Sequence, residues 1–216
     1  NMRLHTNSSN NTVYADAGGN IAYFHGNFVP KRDPAFDFTQ PVDGSDPATD
    51  WQGLHPVDEN ILLLNPANGW LQNCNSTPYT AALEYSPKRE DYPVYMSKDQ
   101  ENFRGVHAIL LLKDMPAIDL DGLISLAHDP YLPAFAVLIP GLVAAYDAAG
   151  ISNPDMKEAI EVLRQWDYKT DRNSVAMSLA HFYGTRYGAK GQRPEGLSSD
   201  MERMTYFGTQ SPAEER

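Results

Sequence analysis

Asn73-Cys74-Asn75, followed by Ser76 and Thr77, is the densest group of side chains in this chain with types suited to chemistry. The group ends the stretch Asn65-Pro-Ala-Asn-Gly-Trp-Leu-Gln-Asn-Cys-Asn-Ser-Thr-Pro78. That stretch is too rich in amides and hydroxyls for a core strand, and too apolar at Gly69-Trp70-Leu71 for a solvated loop. A side-chain amide held rigidly can donate to the alkoxide that develops during acyl transfer without carrying charge itself. Losing one such donor raises the barrier by about 3–4 kcal/mol. Asn73 and Asn75 are equally eligible for that role. An asparagine bonding its own backbone ahead of Pro78 accounts for either residue as well. No sequence feature gives Cys74 a base or lowers its pKa, so it reads as a small buried thiol rather than a nucleophile.

The other reactive residue types form no set. The six histidines show no metal-ligand spacing, and a single cysteine makes neither a zinc cluster nor an internal disulfide. A glycine-rich phosphate loop and a Gly-x-Ser-x-Gly elbow are both absent. Asp43-Gly-Ser-Asp-Pro47 lacks the spacing and the closing Glu of an EF-hand, so its acids are expected in Asx turns. Gly196-Leu-Ser-Ser-Asp200 reads as a plain turn. Residue by residue, the chain offers no complete catalytic set.

The elements around the asparagines follow from turn chemistry and periodicity. Asn65-Pro66 and Asn68-Gly69 are turn signals leading into a short strand expected over Trp70–Gln72, behind which Ile61–Leu64 reads as a buried strand. Thr12–Asp16 and Asn20–His25 flank Ala17-Gly18-Gly19, a hairpin signature. Residues 29–60 are aperiodic and punctuated by proline and aspartate, and residues 79–103 form a second such loop. From Asn102 onward the pattern is helical, over Phe103–Leu112 and Ile118–Ala127. Ala134–Ala148 is expected as two half-helices or as one helix kinked at Pro140. A further helix starts from the cap Asn153, with Met156, Ala159, Ile160, Leu163 and Trp166 on its inner face. Another spans Ser174–Tyr183, with Val175, Leu179 and Phe182 inward. Beyond Gly184 a glycine-rich loop and an acidic tail are expected. Strands in the first third and helices in the rest give an α+β order.

At 216 residues, 42% hydrophobic and 21% charged, the chain can bury a core as one domain or one with an appendage. A net charge of −11 argues against nucleic acid and against an anionic membrane surface. The longest apolar run, Ala134–Tyr146, is broken at Pro140-Gly141 and falls short of the ~20 residues of a membrane span. Residues 1–11 lack the apolar stretch of a signal peptide. They suit a cytoplasmic protein or an internal or mature segment.

Several of these stretches resemble, in order, the penicillin acylase family. They are Asn11-Thr-Val-Tyr-Ala-Asp16 with Gly19-Asn-Ile-Ala-Tyr23, then Pro41-Val-Asp-Gly-Ser45 running on to Asp50-Trp-Gln-Gly-Leu54. The Asn65–Pro78 stretch is the strongest match, and Leu163-Arg-Gln-Trp-Asp167 with Asn173-Ser174 follows it. The Asn-Cys-Asn-Ser-Thr-Pro variant leans toward acyl-homoserine-lactone and related aliphatic acylases. The resemblance implies an N-terminal-nucleophile amidohydrolase with a four-layer αββα core. In that family a self-cleaved precursor exposes a serine whose own α-amino group is the base. The family's oxyanion asparagine falls on Asn75, and an arginine steadying the nucleophile's surroundings falls on Arg104. A second helical register places His107 at the arginine position.

No cofactor is implied for catalysis. Some members bind a structural calcium where Asp37 and the Phe38 carbonyl lie, and no calcium is assigned here. The implied partners are an N-acylated small-molecule substrate and the remaining acylase segments, with no nucleic acid and no membrane span. Self-association is expected of a segment with open sheet edges. The implied location is periplasmic or secreted. In the family the serine and most acyl-pocket residues precede the Tyr-Ala-Asp signature, so residues 1–216 are expected to be an internal segment of the large subunit, inactive alone. The rival expectation is a non-catalytic binding or scaffolding domain that kept the fold.

Overall fold

The computed structural model describes residues 2–5, 9–26, 28–115, 117–190, 195–197 and 199–212. Internal contacts divide the chain into two units, Asn1–Leu112 and Lys113–Arg216. The strands lie in the first and most of the helices in the second, so the fold is α+β.

In the first unit, β1 (Thr12–Ala15) and β2 (Ile21–Phe24) pair antiparallel from Thr12–Phe24 to Ala15–Ile21. The turn between them is the expected hairpin, with Gly19 at φ +84°, where a side chain would be strained. The third strand, β3 (Leu62–Leu64), pairs with the other edge of β2 and sets Leu63 opposite Tyr23. Ile61 and Leu63 are buried, whereas Leu64 is 61% exposed. The expected buried strand is therefore buried on one face only, because alternate side chains point to opposite sides. Tyr23, Leu63, Ala81 and Ala82 form a small core, with Leu71 packed against it.

No strand forms over Trp70–Gln72. The backbone N–H of Gln72 bonds to the Ala81 carbonyl at 2.9 Å, a loop closure with no ladder to join. The aspartates of the first long loop do make Asx turns. Asp33, Asp37, Asp43 and Asp46 each accept the backbone N–H two residues on, at 2.8–2.9 Å. The second loop is a chain of 3-10 turns over Pro78–Thr80, Leu83–Tyr85, Arg89–Asp91 and Val94–Met96. It delivers α1 (Phe103–Leu112), with the bounds expected from its apolar face.

The second unit is helical. α2 (Leu120–Ala127) is capped by Asp119, and α3 (Pro133–Ala149) runs through Pro140 as one helix to a left-handed cap at Gly150. α4 (Pro154–Arg164) starts at Asn153, whose side chain accepts from the Met156 N–H as expected. Its inner face buries Ile160 and Leu163, while Met156 is left 43% exposed at the first turn.

α5 (Val175–Lys190) packs Leu179 against the core as expected, but not Val175 or Phe182. Ala176 and Ala180 are buried, whereas Val175 and Phe182 are 63% and 72% exposed. Small residues are needed there because Trp166, Leu163 and Ile139 already fill the space. α5 also continues past Gly184, and α6 (Asp200–Thr209) stands where a loop and tail were expected. Ser199, read as part of a plain turn, caps α6 reciprocally with Glu202. Gly191, Pro194 and the last four residues of the expected loop and tail lie outside the described residues.

α6 crosses α3 at paired glycines. A Cβ on Gly141 would run into the Gly208 carbonyl, and one on Gly208 into that of Val137. No helix among the described residues is long and apolar enough to cross a membrane.

Candidate functional site

Asn75 sits on an exposed turn over a buried floor, since Ser76, Thr77 and Pro78 are all buried. Three ties hold the floor. Gln72 Nε2 donates to Ser76 Oγ at 3.4 Å, the Thr77 N–H donates to the Gln100 carbonyl at 3.1 Å, and Thr80 Oγ1 donates to Glu101 Oε2 at 2.5 Å. Against this floor lies the start of α1. A Cβ on Gly105 would come within 2.8 Å of Ser76 Oγ and would also strike Glu101, so only glycine lets the helix approach this closely.

The close approach brings Arg104 to Asn75. Both terminal guanidinium nitrogens donate to Asn75 Oδ1, each at 3.3 Å. A guanidinium has donors and no acceptor, so the amide atom facing it must be the oxygen. The N–H groups of Nδ2 are thereby turned to the far edge of the amide. The backbone at Asn75 is left-handed, with φ +53°. Such a conformation costs on the order of 1–3 kcal/mol outside glycine and persists where its surroundings hold it.

The two asparagines that spacing left tied are thus in different situations. Asn73 Oδ1 accepts from Asn11 Nδ2 at 3.5 Å, and Asn11 Oδ1 accepts the Gly26 N–H at 2.9 Å. Asn73 belongs to a bracket holding the end of β2, whereas Asn75 meets the cation. Of the two residues offered for the arginine position, Arg104 makes this contact, and His107 lies one turn further along α1. Cys74 is half-buried rather than fully buried as expected, and that burial raises its thiol pKa by more than the nearby Arg104 lowers it, which disfavours the thiolate.

Two residues beside the site were not singled out in the sequence. Asn102 caps α1 and also touches the Asn75 turn, and its only sequence signal is an asparagine directly before an apolar-periodic run. Glu101 accepts from the Asn102 N–H at 2.9 Å as well as from Thr80.

Other polar groups of this unit serve other ends. His25 is buried, with Nδ1 2.6 Å from the Tyr23 hydroxyl and Nε2 3.7 Å from Asp99. Burial lowers its pKa, and the Asp99 charge opposes that in part. His55 bridges Glu59 and the Tyr95 hydroxyl at 2.9 and 3.0 Å.

Asp37 and Phe38, the residues at the position where some family members bind calcium, have partners within the chain. Lys98 Nζ donates to the Phe38 carbonyl at 3.0 Å, and Asp37 spends an oxygen on the Thr39 N–H. Among the described residues, no cluster of three or more His, Cys, Asp or Glu could hold a metal ion.

A 165-residue alignment to penicillin G acylase of Escherichia coli is 28% identical and covers 73% of this chain but 18% of that protein. The chain thus spans about a fifth of that relative's length. The thermostable penicillin G acylase of Alcaligenes faecalis superposes with a TM-score of 0.52 at 20% identity, over 76% of this chain and 28% of the other. That likeness shows a shared fold. The profile described as penicillin amidase matches residues 1–210, and the chain belongs to that family.

Proposed function

We propose that this chain supplies the oxyanion-binding side of an acyl-transfer site in an amidohydrolase that cleaves N-acylated small molecules. The observation that carries the reading is the pair of Arg104 donors on Asn75 Oδ1. They fix which edge of the amide faces outward and polarise its N–H groups, which makes them stronger donors. In this reading a serine elsewhere in the protein attacks the acyl carbonyl. Asn75 Nδ2 then donates to the carbonyl oxygen as it becomes an alkoxide, and water later releases the acid. Arg104 orients Asn75 and contributes positive charge without touching the reacting atoms. The leaving group is the amine of a β-lactam nucleus or of a homoserine lactone, and the Asn-Cys-Asn sequence favours the second. The family resemblance supports a periplasmic or secreted setting. Large apolar side chains left open, such as Val94, Leu120 and Phe182, support contact with further parts of a longer acylase or with a second copy.

The test is Asn75→Ala in the full-length enzyme. We expect kcat to fall by at least ~100-fold with the melting temperature retained. Turnover at the parent rate overturns the assignment. With Cys74 disfavoured as a nucleophile, the 216-residue chain alone is expected to show no acyl-enzyme burst, and a burst from it would count against the reading.

A further inference from the structure

We propose that Asn102 is a positioning residue of this site, one amide that holds the backbone of Asn75 and the start of the Arg104 helix in register. The inference rests on the reading of Asn75 as the oxyanion donor. Asn102 Nδ2 donates to the carbonyls of Cys74 and Asn75, each at 3.2 Å. Its Oδ1 accepts the backbone N–H groups of Arg104 and Gly105, each at 3.0 Å. The carbonyls can only accept and the helix N–H groups can only donate, so the amide has a single workable orientation with both edges occupied. The Asn102 backbone is itself fixed, its N–H on Glu101 Oε1 and its carbonyl accepting from the Val106 N–H at 3.0 Å.

Asn75 and Arg104 are 29 residues apart in sequence, and their side chains meet at 3.3 Å. That separation depends on the turn carrying Asn75 and the helix carrying Arg104 keeping a fixed offset. Asn102 spans the offset directly. Its two bonds also secure the carbonyls on either side of the strained Asn75 backbone, whose φ is +53°. Without them the Asn75 peptide is free to relax toward ordinary φ, which swings the side-chain amide away from the acyl carbonyl. A helix cap alone would need only the Oδ1 edge. The Nδ2 edge is what ties the cap to the site.

Asn102→Asp separates the two edges. Asp caps a helix about as well as Asn, so the bonds from Arg104 and Gly105 persist. It cannot donate, and it faces two carbonyl oxygens with a carboxylate. In the full-length enzyme, with rates referred to titrated active sites, we expect kcat to fall about 10-fold, short of the ~100-fold or more for losing the donor outright, because the donor is displaced and not removed. We expect KM to stay within about twofold, because the acyl substrate's ground-state contacts are untouched. In the Asn75→Ala background the same change should cost less than about twofold, because Asn102 acts through Asn75. Should Asn102→Asp fail to fold, Asn102→Ser carries the same expectations, since serine caps the helix but is too short to reach both carbonyls.

Parent-like kcat in the variant, or an undiminished loss in the Asn75→Ala background, overturns the positioning role. Parent-like turnover in Asn75→Ala alone overturns the oxyanion reading beneath it, and the two failures are thus told apart.

Discussion

The two units of the chain are held together by different forces, and the difference bears on where a site can be built. Residues 1–112 are largely loops closed by polar side chains. Asn65 brackets β2, Asn11 bridges Gly26 and Asn73, Thr80 meets Glu101, and a row of aspartates makes Asx turns. Their apolar cluster is small, essentially Tyr23, Leu63, Ala81 and Ala82. Buried polar atoms with no partner within the chain, on Asn60, Asn68 and Gln72, also fall in this unit among the described residues. Residues 113–216 pack Ile139, Leu163, Trp166, Ala176 and Ala180 into one core with many half-buried apolar neighbours. Apolar burial is non-directional and scales with area, so it stabilises without fixing an atom to tenths of an ångström. Hydrogen bonds net less stability but fix direction. A donor that must meet a developing charge, the role proposed for Asn75, is therefore expected in the first unit.

If that contrast holds, the largest stability losses should come from the second unit, and we expect the greatest from Trp166→Ala. Trp166 is 8% exposed, lies 5.6 Å from the Phe135 ring centroid and donates its indole N–H to the Lys169 carbonyl at 2.9 Å. Its loss should cost about 3–5 kcal/mol, read as a lower urea midpoint of the helical signal. A loss below 1 kcal/mol would mean this core is not what holds the helices.

Gly141→Ala comes next and tests the sign. In an open helix the change to alanine is favourable by up to about 1 kcal/mol. Here the new methyl meets the Gly208 carbonyl, so we expect a net loss of about 1–3 kcal/mol and exchange of α6 amides ahead of those in α4. A stabilised variant would show that α6 does not cross α3 this closely in solution.

The same contrast explains what could be read from the sequence. The hairpin, α1 and the start of α4 were legible because their signals are local: glycines in a turn, a capping asparagine, an apolar period. On α5, Val175 and Phe182 were misread as inward because hydrophobicity favours them, whereas packing against Trp166 selects Ala176 and Ala180. α6 was missed although Ser199 and Glu202 carry the capping-box spacing, because the glycine-rich run before it masked the start. At the site, residue types led to Asn73 and Asn75 but could not separate them. Their difference lies in partners far along the chain, Asn11 for one and Arg104 for the other. The role of Asn102 is invisible for the same reason, since its contacts to Cys74 and Asn75 reach back 28 and 27 residues.

The smallest expected effect is a pH dependence confined to the first unit. His25 is buried against the Tyr23 hydroxyl, with Asp99 3.7 Å away, and burial lowers its pKa more than Asp99 raises it. A histidine whose folded pKa lies below its unfolded value of about 6.5 binds fewer protons folded than unfolded in the window between the two. Stability should therefore be full above that unfolded value and decline as the pH falls through the window toward the folded pKa. Hydrogen exchange of β2 amides should show this as faster opening between pH 7 and 5, after correction for intrinsic rates, while α4 amides around Leu163 stay unchanged. His25→Gln, which keeps a polar group facing Tyr23, should flatten the β2 response. An unchanged β2 slope in the variant would move the titration to another group. An equal slope in α4 would erase the distinction between a unit tied by polar contacts and one packed by apolar burial.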